Sequence, residues 1–381
     1  MRIAVNARFL LRKRLEGFGW YTHEIMQRMV KQHPEDEFVF LFDRAYDPRF
    51  VYGPNVQPVV VHPQARHPIL FRIWFEWMLP RVLRKSGAEV FFSPDSMCSL
   101  RSPIPTAMTC HDLVPLHHPE QVARRHRNFL LRFLPRYLRR ADQVLTVSEY
   151  VRQDIVQTCS IGAERVTAIH NGCREVFKPL ETTEKQQVRD QYTDGQPYFF
   201  YTGAIHPRKN IPRLIRAFDQ FREKTGAPIK LLLAGRFAWK TGDVSSAYEQ
   251  ARHRADIHFL GYVDDAELAR LMASALALVY VSLSEGFGLP ILEAMYCDTP
   301  VITANTTCLP EIAGPAALLV DPLSETAICE GMEKLYTDER FGATLVEAGR
   351  QQRLLFSWDN AAEQTYQALV ELAHRSKQSP A

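Results

Sequence analysis

The feature of this 381-residue sequence that most restricts its fold is an alternation that runs through the first half and then starts again. RIAVNA, EFVFLF, EVFFSP, TAMTCHD and QVLTVS are short apolar or β-branched runs, each ending in polar or turn residues. Between the first two lies GWYTHEIMQRMVKQ, with apolar residues at helical spacing. Strand-length runs alternating with helix-length ones predict a mostly parallel sheet with helices on both faces. PYFFYTG opens the second series, followed by IPRLIRAFDQFREKT, IKLLLAG, DIHFLGYV, DAELARLMASA, LALVYVS, LPILEAMYC, PVITA and AALLV. Residues 176–196 are polar and fit a connection with a short helix, and the tail after Phe356 reads as a terminal helix. The fold class expected is α/β, as two Rossmann-like, doubly wound domains over 1–178 and 179–358, with a last helix over 359–381. Length agrees, because a single core seldom grows beyond about 250–300 residues. In such sheets ligands meet the carboxyl ends of the strands. The informative motifs lie at strand ends, which predicts that they converge across an interdomain cleft.

Composition narrows the function classes. A hydrophobic share of 46% and a charged share of 23% fit a soluble globular protein. No run of about 18 uncharged apolar residues suggests a spanning helix. MRIAVNARF enters a strand pattern directly and lacks the order of a signal peptide, so a cytoplasmic location is expected. The seven cysteines are scattered without a C-x-x-C pair, which argues against a disulfide framework or a zinc site. Residues 1–180 hold 26 Lys/Arg against 17 Asp/Glu, leaving 20 against 26 in the remainder. A basic first half and an acidic second half predict domains with different partners.

The stretch EGFGLPILEAM sets Glu285 and Glu293 around Gly286, Gly288 and Pro290. LALVYVSLS before it has a buried-strand pattern and LPILEAMY a helix pattern, with Pro290 suited to the helix start. Glycines let the backbone approach a ligand, and free N–H groups at the helix start attract an anion. The carboxylates are then left to accept hydrogen bonds from hydroxyls, a division that suits a sugar nucleotide. The plainer reading is a Glu293 that answers the helix dipole and a solvated Glu285. Arg208 and Lys209, in HPRKN, follow an apolar run and precede a helix. Arg pairs with a diphosphate by bidentate hydrogen bonds and Lys as a compact charge. The alternative is a solvated basic loop. Gly17 and Gly19, in GFGW, do not make a dinucleotide fingerprint, since the third glycine is missing and the turn does not directly follow the strand. They read as a loop that permits close approach of diphosphate or acceptor, or as an ordinary turn. His111 and Asp112 close the strand TAMTC, where the His can bond a sugar hydroxyl and the Asp can orient it or cap the next segment. No D-x-D triplet occurs, and no metal is expected. Segments 68–85 and 123–142 mix arginines with bulky apolar residues. They fit either an anionic membrane surface or helices packed on the sheet with solvated Arg faces. The modest excess charge, without a binding motif, argues against nucleic acid.

SEGFGLPILEAM closely resembles the signature of the retaining GT-B glycosyltransferases of family 4, also called group 1. GFGWYTHEI, CHDLVPLHHPE, TVSEYVRQDI, VTAIHNGC, YTGAIHPRKNIPRLIRAF, FLGYVDDAELARLMASA and LPEIAGPAALLVDP resemble further blocks of that family, in order, over nearly the whole chain. The resemblance implies an N-terminal acceptor-binding domain and a C-terminal nucleotide-sugar domain, with the last helix crossing back to the first. It implies that Glu285 holds hydroxyls of the donor sugar, that Glu293 accepts from the ribose, and that Gly286, Phe287, Gly288 and Leu289 meet sugar and diphosphate. His111 would contact the transferred sugar near its anomeric centre. Some relatives carry arginine directly after the strand-end glycine, Gly203, where this chain has Ala204, so Arg208 and Lys209 carry more of the phosphate binding. The base is expected against the backbone around Tyr262 and Val263. The implied activity is retaining, metal-independent transfer of a hexose from GDP-mannose or a UDP-sugar to a glycan or lipid-linked acceptor, on the inner face of a membrane. A sugar-nucleotide epimerase, an NAD-dependent oxidoreductase and a non-catalytic sugar-nucleotide-binding module are the rival readings.

Overall fold

The computed structural model describes residues 1–12, 15–237 and 242–378. It resolves into two compact units: Met1–Gly172 together with the chain from Ser357 onward, and Cys173–Phe356. Cys173 to Lys178, which the sequence reading places in the first domain, fall in the second unit.

The first unit is built on β1 (Arg2–Asn6), β2 (Glu37–Phe42), β3 (Val56–Val60), β4 (Val90–Ser93), β5 (Thr106–Cys110), β6 (Gln143–Thr146) and β7 (Val166–Ala168). They form one parallel sheet in the order β3-β2-β1-β4-β5-β6-β7. The strands β4, β5 and β6 are buried along their whole length, which is why they read as continuous apolar runs and not as alternating ones. β3 and β7 escape the sequence pattern for physical reasons. Pro58 stands inside β3, a position tolerated because β3 lies at a sheet edge. At the opposite edge, β7 has only three residues.

Helices cover this sheet, among them α1 (Gly17–Gln32) and α2 (Arg124–Arg140). The bulky residues of the two basic segments mostly face the core. Phe71, Trp74, Phe75, Leu79, Phe129, Phe133, Leu134 and Leu138 are buried, and the Trp74 indole N–H donates to the Val61 carbonyl at 2.8 Å. Ile69, Trp77 and Leu131 stay exposed among the arginines.

The second unit holds β8 (Tyr198–Thr202), β9 (Lys230–Ala234), β10 (Ile257–Gly261), β11 (Ala277–Tyr280), β12 (Val301–Ala304) and β13 (Ala317–Val320). Their order is β10-β9-β8-β11-β12-β13, again all parallel. The first six strands of the other unit follow the same 3-2-1-4-5-6 order, the doubly wound arrangement. The helices that matter below are α3 (Ile211–Thr225), α4 (Asp265–Ser274) and α5 (Leu289–Tyr296). The polar connection also contains a helix, Thr182–Thr193.

The last helix, α6 (Trp358–Gln378), packs on α1 of the first unit. Ala361, Ala362, Leu369, Leu372 and Ala373 form its buried stripe. Arg28 Nε donates to Asp359 at 2.9 Å, and the Tyr366 hydroxyl donates to Asp36 at 2.7 Å. Among the described residues no helix is long and apolar enough to cross a membrane.

Candidate functional site

In the second unit the strand order reverses between β8 and β11, which are neighbours. Chains leaving two such strands go to opposite faces and leave a crevice at their carboxyl ends. Gly203 follows β8 with φ of +136°, and a Cβ on nearby Gly235 would lie 1.9 Å from the Gly203 carbonyl oxygen. A side chain at Gly235 is thus excluded by backbone. The chain then makes one 3-10 turn, Pro207–Lys209, and passes through Asn210 in the left-handed region before α3. The Asn210 amide donates to the carbonyls of Val281 at 3.0 Å and Pro322 at 2.7 Å. Leu283 N–H donates to the Arg208 carbonyl at 2.8 Å. These bonds fasten the basic turn to the end of β11.

The fastening brings three predicted residues together. Arg208 Nη1 lies 2.6 Å from Glu285 Oε2, and Lys209 Nζ bonds Glu285 Oε1. The Tyr280 hydroxyl accepts from Lys209 Nζ at 2.6 Å and donates to Glu285 Oε1 at 2.8 Å. Lys209 and Glu285 are both buried. Burial alone would raise the Glu285 carboxyl, but Arg208 and Lys209 overcome it and bring it down to about 2. The carboxylate is thus held ionised, with two cations to one anion. Gly203 borders this group: a Cβ there would come 3.9 Å from Lys209 Cε.

The turn after Glu285 ends at Gly288, the cap of α5, with φ of +95°. A Cβ at Gly288 would approach Leu309 Cδ2 to 2.8 Å, so both conformation and space favour glycine. Phe287 is buried with its ring edge-on to Phe356, and Leu289 opens the helix ahead of Pro290. Glu293, one turn further, is also buried. Arg174 Nη2 donates to its Oε1 at 2.8 Å, while Arg174 Nη1 lies 2.6 Å from Asp265 at the start of α4. Burial pushes the Glu293 carboxyl above its usual range, and Arg174 opposes that push. Tyr262, just after β10, is exposed and Val263 is half-buried.

In the first unit Gly17 and Gly19 are not in a loop, as the sequence reading has them, but form the first turn of α1. The segment before α1 folds back on this turn: a Cβ on Gly19 would lie 2.7 Å from the Phe9 carbonyl oxygen and 3.1 Å from Leu15. Gly17 faces open space, where a Cβ would meet nothing within 4 Å. His111 follows β5. Its ring lies 4.8 Å from that of Phe18 and edge-on to Tyr21 at 4.7 Å. Nε2 is 2.8 Å from the Pro94 carbonyl oxygen, an acceptor, so Nε2 carries the proton. Burial lowers the His111 pKa, with the Pro94 carbonyl opposing. The neutral ring then presents Nδ1 as an acceptor. Asp112 Oδ1 accepts from Val114 N–H at 3.1 Å and starts the next helical turn.

A family model described as "Glycosyl transferases group 1" matches residues 166–352, and one described as "Glycosyltransferase Family 4" matches residues 15–175. The curated "O-antigen chain mannosyltransferase B" of Escherichia coli is 34% identical over 265 residues, 68% of each chain. This chain belongs to the group 1 glycosyltransferases. Another relative, the "Serotype-specific mannosyltransferase WbdA" of Escherichia coli, is 29% identical over 73% of this glycosyltransferase but only 35% of its own length. Among solved structures, sucrose-phosphate synthase from Thermosynechococcus elongatus covers 97% of this chain and 98% of its own at a TM-score of 0.76 and 20% identity. WaaG, "a glycosyltransferase involved in lipopolysaccharide biosynthesis", covers 97% and 99% at 0.75 and 14%. At those identities the likeness is one of fold, and the fold is GT-B.

Several residues of the glycosyltransferase escape sequence reasoning. Tyr280 hides at the end of an apolar strand, where only its hydroxyl marks it. Arg174 follows directly on the VTAIHNGC block but stands 119 positions from Glu293, so nothing local announces their pairing. The first unit also has a buried polar group where β1 and β4 meet at its own order reversal. There Arg8 Nε lies 2.5 Å from Asp95, and Asn6 donates to Ser93 and Asp95, each at 2.9 Å. Arg and Asp 87 positions apart carry no signature of their pairing.

Proposed function

We propose that this glycosyltransferase moves a hexose from a nucleotide-diphosphate sugar to a glycan or lipid-linked acceptor in polysaccharide or lipopolysaccharide synthesis, with retention of configuration and without a metal. The observation that carries the reading is the Glu285–Arg208–Lys209 cluster at the order reversal of the second sheet, beside the glycine-capped start of α5. Two cations and the N-terminal end of α5 suit a diphosphate, and the cations supply the charge stabilisation that its departure needs. Glu285, already ionised, accepts from sugar hydroxyls, and the second Glu293 oxygen accepts from ribose. Gly203, Gly286, Phe287, Gly288 and Leu289 offer close backbone, and Tyr262 and Val263 border the base. On the first unit, His111 bonds the transferred sugar through Nδ1, Asp112 sets the adjoining turn, and Gly17 admits the ligand, while Gly19 lets the preceding segment pack on α1.

Glu285 is tied to two cations, which makes it a poor nucleophile at the anomeric carbon. We therefore assign a same-face displacement. The acceptor oxygen bonds to the anomeric carbon as the bond to the diphosphate breaks, and the acceptor proton passes to the departing phosphate oxygen. Mannose from GDP-mannose is the first choice of donor, on the mannosyltransferase names of the relatives, with a UDP-sugar as the second. A cytoplasmic enzyme at the inner membrane face fits a lipid-linked acceptor.

The test incubates the protein with a donor panel, with and without acceptor fractions, and follows product by NMR. Nucleoside diphosphate release that needs acceptor, a retained anomer and indifference to EDTA are expected. Inverted product refutes the mechanism. Interconversion of donor sugars without acceptor indicates an epimerase, and binding without turnover a non-catalytic module.

A further inference from the structure

The first unit contains a cavity of about 290 Å³ lined by Arg72, Glu76, Trp77, Arg101, Arg132, Phe133 and Arg136, with Leu100. Its charge is uneven: four guanidinium groups face one carboxylate. Among the described residues, none of the four arginines is ion-paired, whereas Arg140 nearby is bound to Asp142 at 3.1 Å. Three of them crowd one aromatic ring. The guanidinium carbons of Arg72, Arg132 and Arg136 lie 5.8, 5.8 and 5.3 Å from the Phe133 centroid. All four arginines are exposed, so salt screens part of the repulsion among these like charges.

The scaffold holds them there. Phe133 is buried, with its ring stacked on Phe129 at 4.8 Å, so its position is fixed by the core. Glu76 and Trp77 belong to a one-turn π-helix, Trp74–Met78, an irregularity that interrupts the helical run from Pro68 to Ser86. Glu76 is buried and accepts from Leu100 N–H at 3.2 Å, which ties the π turn to the chain bearing Arg101. Trp77 remains 43% exposed at the rim.

We infer that this cavity is a phosphate-binding site, separate from the Glu285 cluster of the second unit, that takes a phosphate or diphosphate group. Four planar forks offer more donors than one carboxylate can use, and they match the tetrahedral oxygens of phosphate. Four arginines less Glu76 leave three positive charges, the scale of a diphosphate. A bound anion replaces the repulsion around Phe133 with charge-assisted hydrogen bonds. The group can arrive on a lipid headgroup, for which Trp77 and the exposed Ile69 and Leu131 provide apolar neighbours, or on a soluble molecule. The inference goes beyond the transferase reading and does not depend on it.

The test uses the full chain, inorganic pyrophosphate in calorimetry and phosphatidylglycerol or phosphatidylcholine vesicles in sedimentation. The variant is Arg132→Gln/Arg136→Gln, at two exposed positions, with an unchanged melting curve as the check on folding. A soluble source predicts pyrophosphate binding that the variant weakens about tenfold or more, the loss of one or two charge-assisted bonds. Arg208→Gln should leave that binding in place, which separates this site from the donor site. A lipid source predicts capture by phosphatidylglycerol but not phosphatidylcholine vesicles, lost in the same variant. If, in the Arg208→Gln background that removes the donor-site contribution, the folded variant retains both pyrophosphate binding and vesicle capture, or the protein without the Arg132 and Arg136 changes has neither, the inference is overturned.

Discussion

Lys209 keeps an ammonium group where little water reaches it, because the Glu285 carboxylate and the Tyr280 hydroxyl replace the lost hydration. Removing one partner of a buried pair leaves the other charge uncompensated, which costs about 3–5 kcal/mol. Glu285→Ala should therefore fall near the low end, about 3 kcal/mol in urea unfolding, since Arg208 at 25% side-chain exposure relaxes into solvent. Transfer by Glu285→Ala should drop more than transfer by Glu293→Ala, whose loss should lie mainly in donor affinity. Equal, undiminished transfer by both variants would remove the proposed site. The two glutamates also oppose each other in acid. The folded Glu285 carboxyl is lowered from the usual 4.5 to about 2, so its stabilisation is complete above 4.5 and is lost as pH falls towards 2. One such proton is worth about 1.4 kcal/mol per pH unit at most. Glu285→Gln should flatten the fall in stability between pH 4.5 and 3, measured by unfolding at each pH. The Glu293 carboxyl is raised from 4.5, so its favourable contribution is present below 4.5 and disappears as pH rises through the folded value. Glu293→Gln should gain stability relative to the parent over that rise.

At the scale of elements, α5 depends on residues that its own sequence does not contain. Arg174 joins Glu293 to the start of α4, with its guanidinium 4.9 Å over the Phe177 ring. It is a positioning residue: it holds the carboxylate, in our reading, for the donor ribose. Arg174→Met should raise the donor KM about tenfold while kcat changes by less than about twofold, the pattern of lost uniform binding. Without the guanidinium the Glu293 carboxyl rises further, so the KM defect should widen as pH is lowered; a pH-independent defect would indicate general damage. The contrast with Glu285 explains what the sequence makes legible. Gly288, Pro290 and the flanking apolar runs define the strand-turn-helix locally, and Arg208 and Lys209 stand at an equally local strand end. Their convergence on Glu285 follows from β8 and β11 being neighbours, a fact of topology. Arg174, Tyr280, Arg8 and Asp95 have ordinary surroundings in sequence and acquire meaning through pairing over long separations. Periodicity also leaves the basic segments open, because alternation of Arg with Phe or Leu looks the same whether the apolar side meets a membrane or the core. Phe129, Phe133 and Leu138 are buried in the core.

The molecule repeats one strand order in two sheets, yet its chain does not divide into two consecutive pieces. It leaves the first unit at Gly172 and returns to it at Ser357, and these two points touch. A Cβ on Gly172 would stand 2.2 Å from the Trp358 backbone nitrogen, 2.7 Å from Trp358 Cγ and 2.8 Å from the Ser357 carbonyl carbon. Two of those three atoms are backbone and cannot rotate away. The indole of Trp358 is buried and packs near Tyr21 at 6.1 Å between ring centroids, so shifting it disturbs the seam between α6 and α1. Gly172→Ala is thus a small overpacking change at the place where the terminal helix joins the first unit. Overpacking of this kind costs about 1–3 kcal/mol. For a unit of this size each kcal/mol moves the midpoint by about 2–4 °C. In differential scanning calorimetry the transition of the first unit should fall by several degrees while that of the second, which does not contain the residue, stays in place. A nucleotide sugar should raise the second transition equally in parent and variant, because the cations and acids proposed to hold it all belong to Cys173–Phe356. An unmoved first transition would mean that the α6 seam yields without cost, and a loss of nucleotide-sugar stabilisation would mean that the seam, through Tyr21, also sets His111, the first-unit contact proposed for the transferred sugar.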